Sequence, residues 1–193
     1  MKAIVRIAAL ALIVIPPALA ADGAWENTVE VESEQVEVPA GKDFRSDSLA
    51  FIVGYRTGDN KFDLKLELGK DRDAAAETGG KLEFRFRRYF PKVAGIEPSL
   101  RLSLGENIKN GSGSSFGFYT IQPKLAYDIG HGMEPYVSVR HRQRFDGPNW
   151  QTTTCYAGIA FALDRGWEIE PSLFHKSGIE TTNGLKVEIT RKF

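Results

Sequence analysis

From residue 49 onward, hydrophobic side chains recur at every second position over most of the chain. Leu49, Phe51, Val53 and Tyr55 form one such set; Phe62, Leu64, Leu66 and Leu68 form the next, alternating with Lys61, Asp63, Lys65 and Glu67. A period of two puts the members of each set on one face of an extended strand. Between these two sets stands Gly58-Asp59-Asn60, a tight-turn signal that makes them a hairpin. Leu82, Phe84 and Phe86 then oppose Lys81, Glu83, Arg85 and Arg87, and Leu100, Leu102 and Leu104 oppose Ser99, Arg101 and Ser103. Tyr119, Ile121, Pro123, Leu125 and Tyr127 mark a sixth strand, in which a proline predicts an irregularity. Arg140, Arg142 and Arg144 share one face of a seventh; an eighth runs over 150–162 and a ninth over 167–176. The last, 184–193, sets Leu185, Val187, Ile189 and Phe193 against Lys186, Glu188, Thr190 and Lys192.

The first segment, 25–38, alternates less cleanly. Its phase changes between Glu32 and Val36, which predicts a bulge or a loose first strand. With it the strands number ten. The segments 39–47, 69–80, 105–115 and 177–183 read as loops, 91–98 as a turn, and 146–149 as a turn. Each strand has one apolar and one charged face, and no segment has a helical period. The expected fold is all-β: a transmembrane antiparallel up-and-down β-barrel of about ten strands, with eight or twelve as the neighbouring solutions. An even number leaves both termini on the periplasmic side. Aromatic residues such as Tyr55, Tyr89, Phe90, Tyr127, Phe145, Trp150 and Trp167 fall near strand ends, where interfacial girdles are expected.

The amino terminus supplies the compartment. Lys2 and Arg6, the apolar run 7–15 and Ala18-Leu19-Ala20 have the order of a secretory signal peptide over residues 1–20. The barrel domain is then 21–193. Removing Lys2 and Arg6 from 25 basic residues leaves 23 against 25 acidic, a net charge near −2 that argues against a nucleic-acid partner. Cys155 is the single cysteine, so no internal disulfide is available. The closing amphipathic strand with its terminal Phe193 resembles the carboxy-terminal signal of bacterial outer-membrane barrels. That resemblance implies the outer membrane of a Gram-negative cell, with its lipid and lipopolysaccharide, and recognition of the last strand by the barrel assembly machinery.

If the apolar faces meet lipid, the charged faces line the lumen. Arg85, Arg87, Arg101, Arg140, Arg142 and Arg144 then point inward as a candidate anion-binding track. Planar, permanently charged guanidinium groups suit the passage of carboxylates. The opposing expectation is that a barrel of this size fills itself with paired charges and stays closed. The hairpin over 48–70, the arginine-bearing strands and the last strand together resemble the oligogalacturonate-specific porin family. The resemblance implies a narrow channel for acidic oligosaccharides, although that family's barrels have about twelve strands.

Two further classes stay open. His175-Lys176-Ser177 resembles the His-x-Ser of lipid A deacylases, barrels with a serine nucleophile, a histidine base and an acidic partner. The resemblance implies His175, Ser177 and Glu180 as the catalytic set, with Gly178 replacing the asparagine that follows the family's serine. A closed structural or adhesion barrel working through its outer loops is the third class. His131 lies between two turn glycines, His141 faces outward, and Cys155 reads as a small hydrophobe on the apolar face. Neither histidine has metal-ligand spacing, Glu168 and Glu170 are expected to neutralise arginines, and no cofactor is expected.

Overall fold

The alternation along the strands resolves into an inside and an outside. The computed structural model describes residues 23–39, 43–71, 78–109, 115–147, 151–179 and 181–193. Ten strands follow in chain order: β1 Ala24–Glu37, β2 Phe44–Thr57, β3 Asn60–Asp71, β4 Thr78–Tyr89, β5 Ile96–Lys109, β6 Phe116–Tyr127, β7 Met133–Arg144, β8 Gln151–Ala162, β9 Trp167–Gly178 and β10 Thr182–Lys192. Each pairs antiparallel with its neighbours in sequence, and β1 pairs with β10 to close the barrel. Closure leaves no unpaired strand edge. The start of β1 and the end of β10 lie together at one end, here the proximal end; the opposite end is distal. Residues 1–20, read as a signal peptide, fall outside the described residues.

Several strands run further than their hydrophobic pattern. β2 already begins at Phe44, β3 continues to Asp71 and β5 to Lys109, so much of the expected loops 39–47, 69–80 and 105–115 is strand. β9 likewise extends to Gly178 and β10 starts at Thr182. The reason is that backbone pairing continues wherever a neighbouring strand offers partners, whatever the side chains face. Within 91–98, Val93 and Ile96 form a short bridge and β5 starts at Ile96, which shortens the turn.

β1 carries no bulge. Its register to β2 is unbroken from Ala24 opposite Arg56 to Val36 opposite Phe44, and its register to β10 is unbroken from Thr28 to Glu37. Glu26, Glu30, Glu32, Glu34 and Val36 therefore share the inward face. The apparent phase change arises because an inward apolar residue, Val36, follows inward acids. Pro123 does interrupt its strand: the β6–β7 ladder skips from Ile121 to Lys124, while pairing of Pro123 with Leu100 on β5 persists. Pro171 leaves a similar gap between β8 and β9. In both places the register resumes unshifted, as expected when only a backbone donor is lost.

The exterior is apolar. Phe51, Phe84, Leu104, Val137, Leu173 and Leu185 are all exposed, at 50%, 50%, 57%, 53%, 65% and 46%. The buried set is instead largely polar, including Glu30, Asp63, Lys65, Glu83, Arg85 and a series of serines and threonines. Rings on the inside are accommodated by glycines directly across the ladder. Gly105 faces Phe118, Gly158 faces Tyr136 and Gly184 faces Phe174. A Cβ on Gly105 would stand 2.5 Å from Cζ of Phe118, so the bare backbone is the ring's seat. Towards the distal end Val36, Tyr156 and Phe174 form an apolar cluster, with Val38 and Phe44 packed on it.

Candidate functional site

A cavity of about 340 Å³ occupies the barrel interior. Its lining runs from Tyr89, Glu97, Glu134, Glu168 and Lys192 near the proximal end to Glu32, Glu67, Lys81, Arg140 and Tyr156 further in. Val36, Phe44, Phe118 and Phe174 are not part of it, whereas Ala126, Tyr136 and Tyr156 are, so the apolar cluster borders the cavity at its inner limit and the Phe118 ring lies beyond it.

Along β10, β1, β3 and β4 the inward charges neutralise one another. Lys65 on β3 pairs with Glu30 on β1, and also with Glu67 at 2.8 Å; Glu67 in turn holds Lys81 at 2.8 Å. Lys186 on β10 bridges Glu32 at 2.6 Å and Glu188 at 3.0 Å. Nearer the proximal end Lys61 joins Glu26 at 2.5 Å and Asp63 at 3.6 Å, and Asp63 meets Arg85 at 3.4 Å. Two of these contacts, Lys65 to Glu30 and Lys61 to Glu26, reach across the intervening β2, because the long lysine stems extend over the pleat; the others join residues on one strand or on neighbouring strands. The carboxylates of Glu30, Glu32 and Glu188 approach one another closely enough to suggest cation ligation, with ligand atoms within 4.8 Å. Lys65 and Lys186 already supply the positive charge there.

Arg56 also lines the cavity, stacked 4.8 Å from the Tyr89 ring centroid, and the six arginines of the expected track divide into three groups. Arg85 is neutralised by Asp63. Arg87, Arg101 and Arg140 line the cavity and, among the described residues, have no carboxylate within 4.0 Å. Arg87 donates to the Tyr89 hydroxyl at 3.3 Å, and Arg140 lies 5.2 Å from the Tyr156 ring centroid. The Nε of Arg101 is buried without a hydrogen-bond partner. Arg142 and Arg144 sit beyond the cavity: Arg142 stacks over Phe118 at 4.5 Å, and Arg144 over Phe116 at 3.9 Å while gripping Asp146 through two hydrogen bonds, at 2.7 and 2.5 Å. That fork holds the Asp146 carboxyl, on the distal connection after β7, below its ordinary pKa. One arc of wall, β4 to β7, thus presents three guanidinium groups without a carboxylate contact, with Glu83 among them also lacking a cation within 4.0 Å among the described residues, to a cavity whose opposite arc is mostly ion-paired.

The sequence pattern misses part of this lining. Glu97, Glu134 and Tyr136 belong to it, the Tyr136 hydroxyl donating to Glu170 at 2.6 Å, and Glu26 faces inward through its pair with Lys61. Glu26 continues the inward phase of Glu30 and Glu32, while Glu97 is hidden by the turn assigned to 91–98. Tyr136 could have been found from its place opposite Gly158 across the β7–β8 hairpin.

Outside the barrel, His175 and Ser177 share the outward face of β9 but are not joined. The imidazole Nδ1 is 2.7 Å from Oδ1 of Asn183 on β10, and Ser177 donates to the Thr153 carbonyl at 3.4 Å. Glu180 falls outside the described residues. His141 lies at 3.1 Å from the Thr153 hydroxyl, His131 occupies a left-handed turn position, and Cys155 is exposed and free.

No protein-family profile matches the sequence, and no curated protein is found similar to it. Among solved structures, the β domain of the Bordetella autotransporter BrkA superposes with a TM-score of 0.56 at 12% identity, over 88% of this chain and 99% of that one. The translocator domain of the autotransporter NalP from Neisseria meningitidis gives 0.49 at 10% identity, over 100% and 97% of the two chains. Neisserial surface protein A gives 0.42 at 13%, over 89% and 99%. The resemblance to oligogalacturonate-specific porins is not confirmed by these likenesses; what this chain shares with the BrkA domain is the closed β-barrel fold.

Proposed function

We propose that the protein spans the outer membrane and conducts small anionic solutes, acidic sugars among them, through a narrow lumen. The exterior of exposed hydrophobic side chains supports the membrane placement, since a closed barrel is the β-structure that leaves no backbone group unsatisfied in lipid. The observation that carries the reading is the arc of Arg87, Arg101 and Arg140 on the cavity, with no carboxylate within 4.0 Å among the described residues. A carboxylate arriving from the proximal end exchanges hydration for these guanidinium groups, while a cation meets acids that, Glu83 and Glu170 apart, are already paired with basic side chains. The apolar cluster at the inner limit of the cavity makes such a channel small in conductance.

A second reading is a closed structural barrel, favoured by that same cluster and by the dense ion pairing. Planar-bilayer recording separates the two. The channel reading expects small discrete steps that galacturonate reduces from the cavity side and neutral galactose leaves unchanged. Silence from a correctly folded barrel overturns it.

A further inference from the structure

Three successive rows of outward residues cross β7 to β10 on the exterior wall. The row nearest the proximal end is apolar: Val137, Ala157, Leu173 and Leu185 lie opposite one another through three ladders. The row nearest the distal end is polar, with His141, Thr153 and Ser177. Between them runs Val139, Cys155, His175 and Asn183, each directly opposite the next. On β7 to β9 the middle row marks where outward side chains turn from apolar to polar, although Phe145 and Ile179 are exposed further distal. In a bilayer such a change is expected where acyl chains meet headgroups, the region of the ester carbonyls.

At this level the chain assembles a thiol, an imidazole and an amide. Directly opposite positions on an antiparallel pair bring Cβ atoms to about 4.5–5.5 Å; Sγ and the ring are not hydrogen-bonded in the structure, and a side-chain rotation at this spacing joins them. His175 is oriented from the far side, its Nδ1 lying 2.7 Å from Oδ1 of Asn183. With that oxygen accepting, Nδ1 carries the proton and Nε2 is left as a base. Cys155, His175 and Asn183 are all exposed on the outer surface, so a membrane component reaches them from the side. Cysteine, histidine and asparagine in these roles form a recurrent acyl-transfer constellation, recognised by geometry and not by chain order.

We propose that Cys155 is an acyl-accepting nucleophile for ester-linked fatty acyl groups of the surrounding leaflet, with His175 as its base and Asn183 as a positioning residue. The thiol gives its proton to Nε2 of His175 and Sγ attacks the ester carbonyl carbon. The carbon–oxygen bond to the lipid alcohol breaks, and the alcohol leaves with the proton held by His175. The product is a thioester on Cys155; water then cleaves it to the fatty acid, and the thiol is restored. The site shares with the channel reading only the placement in the outer membrane and is independent of the lumen, so either stands if the other fails.

The test uses the refolded full barrel in phosphatidylcholine vesicles, with 4-nitrophenyl palmitate as the acyl donor and intact mass as the readout. The expected result is one palmitoyl adduct, mapped to Cys155 and removed by neutral hydroxylamine. His175→Ala slows its formation at least tenfold, Asn183→Ala slows it several-fold, and Asn183→Asp, which keeps an oxygen facing Nδ1, restores it. Heat-modified gel mobility identifies folded variants, and wild-type barrel alkylated beforehand with N-ethylmaleimide must lose the adduct without any mutation. Absence of an adduct overturns the proposal. So does an adduct that forms equally fast in folded His175→Ala, since Cys155 is then an accessible thiol and nothing more.

Discussion

Glu30 on β1 and Lys65 on β3 meet across the full width of β2, each side chain 7% exposed. The contact is possible because β2 places the small side chain of Ala50 opposite Glu30 and Ile52 opposite Lys65, leaving room over the strand between them. Such a pair is balanced between desolvation and attraction, and loses that balance when one partner is removed. Lys65→Met alone, or Glu30→Gln alone, is expected to cost about 3–5 kcal/mol. The double variant recovers most of that loss. Denaturant unfolding of the barrel in vesicles, run as a double-mutant cycle, reads the difference.

The three groups of arginine give a graded expectation for ion selectivity. Arg101→Ala and Arg140→Ala remove unneutralised charge from the cavity and shift the reversal potential towards zero. Arg144→Ala leaves it unchanged, because that guanidinium is taken up by Asp146 outside the cavity. Arg85→Ala has a different effect, leaving Asp63 with only Lys61, which Glu26 shares, and moving selectivity towards cations.

Gly105 leaves space for Phe118, which is fully buried. Gly105→Ala overpacks the site and is expected to cost about 1–3 kcal/mol. Shortening the ring in Phe118→Leu relieves the clash, so the two changes together cost less than their sum. Unfolding midpoints of the four proteins decide it.

Asp146 titrates with a depressed carboxyl, so its contact with Arg144 is present above the ordinary carboxylate range and is lost only as pH falls through the lowered value. A carbon-13 titration of the side-chain carboxyl is expected to show a midpoint below that of an unpaired aspartate. In Arg144→Ala the midpoint rises.

The barrel was legible because its exterior obeys a two-residue period. The strand sets beginning at Leu49, Phe62, Leu82 and Leu100, and the final strand to Phe193, all appear as strands, with their apolar members facing outward. The strand ends were not legible, because ladder pairing carries β3 and β5 beyond their last apolar residue. The lumen was half legible. Charge alternation gives the inward direction of Arg85, Arg101 and Arg140, but not which partner each charge meets: Asp63 lies directly opposite Arg85, whereas Glu30 reaches Lys65 two strands away. The middle row of the exterior was hidden for the same reason: Cys155 and Asn183 flank His175 only once β8, β9 and β10 are in register.

The central claim is that unneutralised guanidinium on one arc of the lumen selects anions. Its most direct test is the reversal potential of the wild-type protein in a planar bilayer under a potassium chloride gradient. The account predicts discrete steps with a reversal potential of the sign for chloride permeation. A cation-selective reversal potential contradicts it.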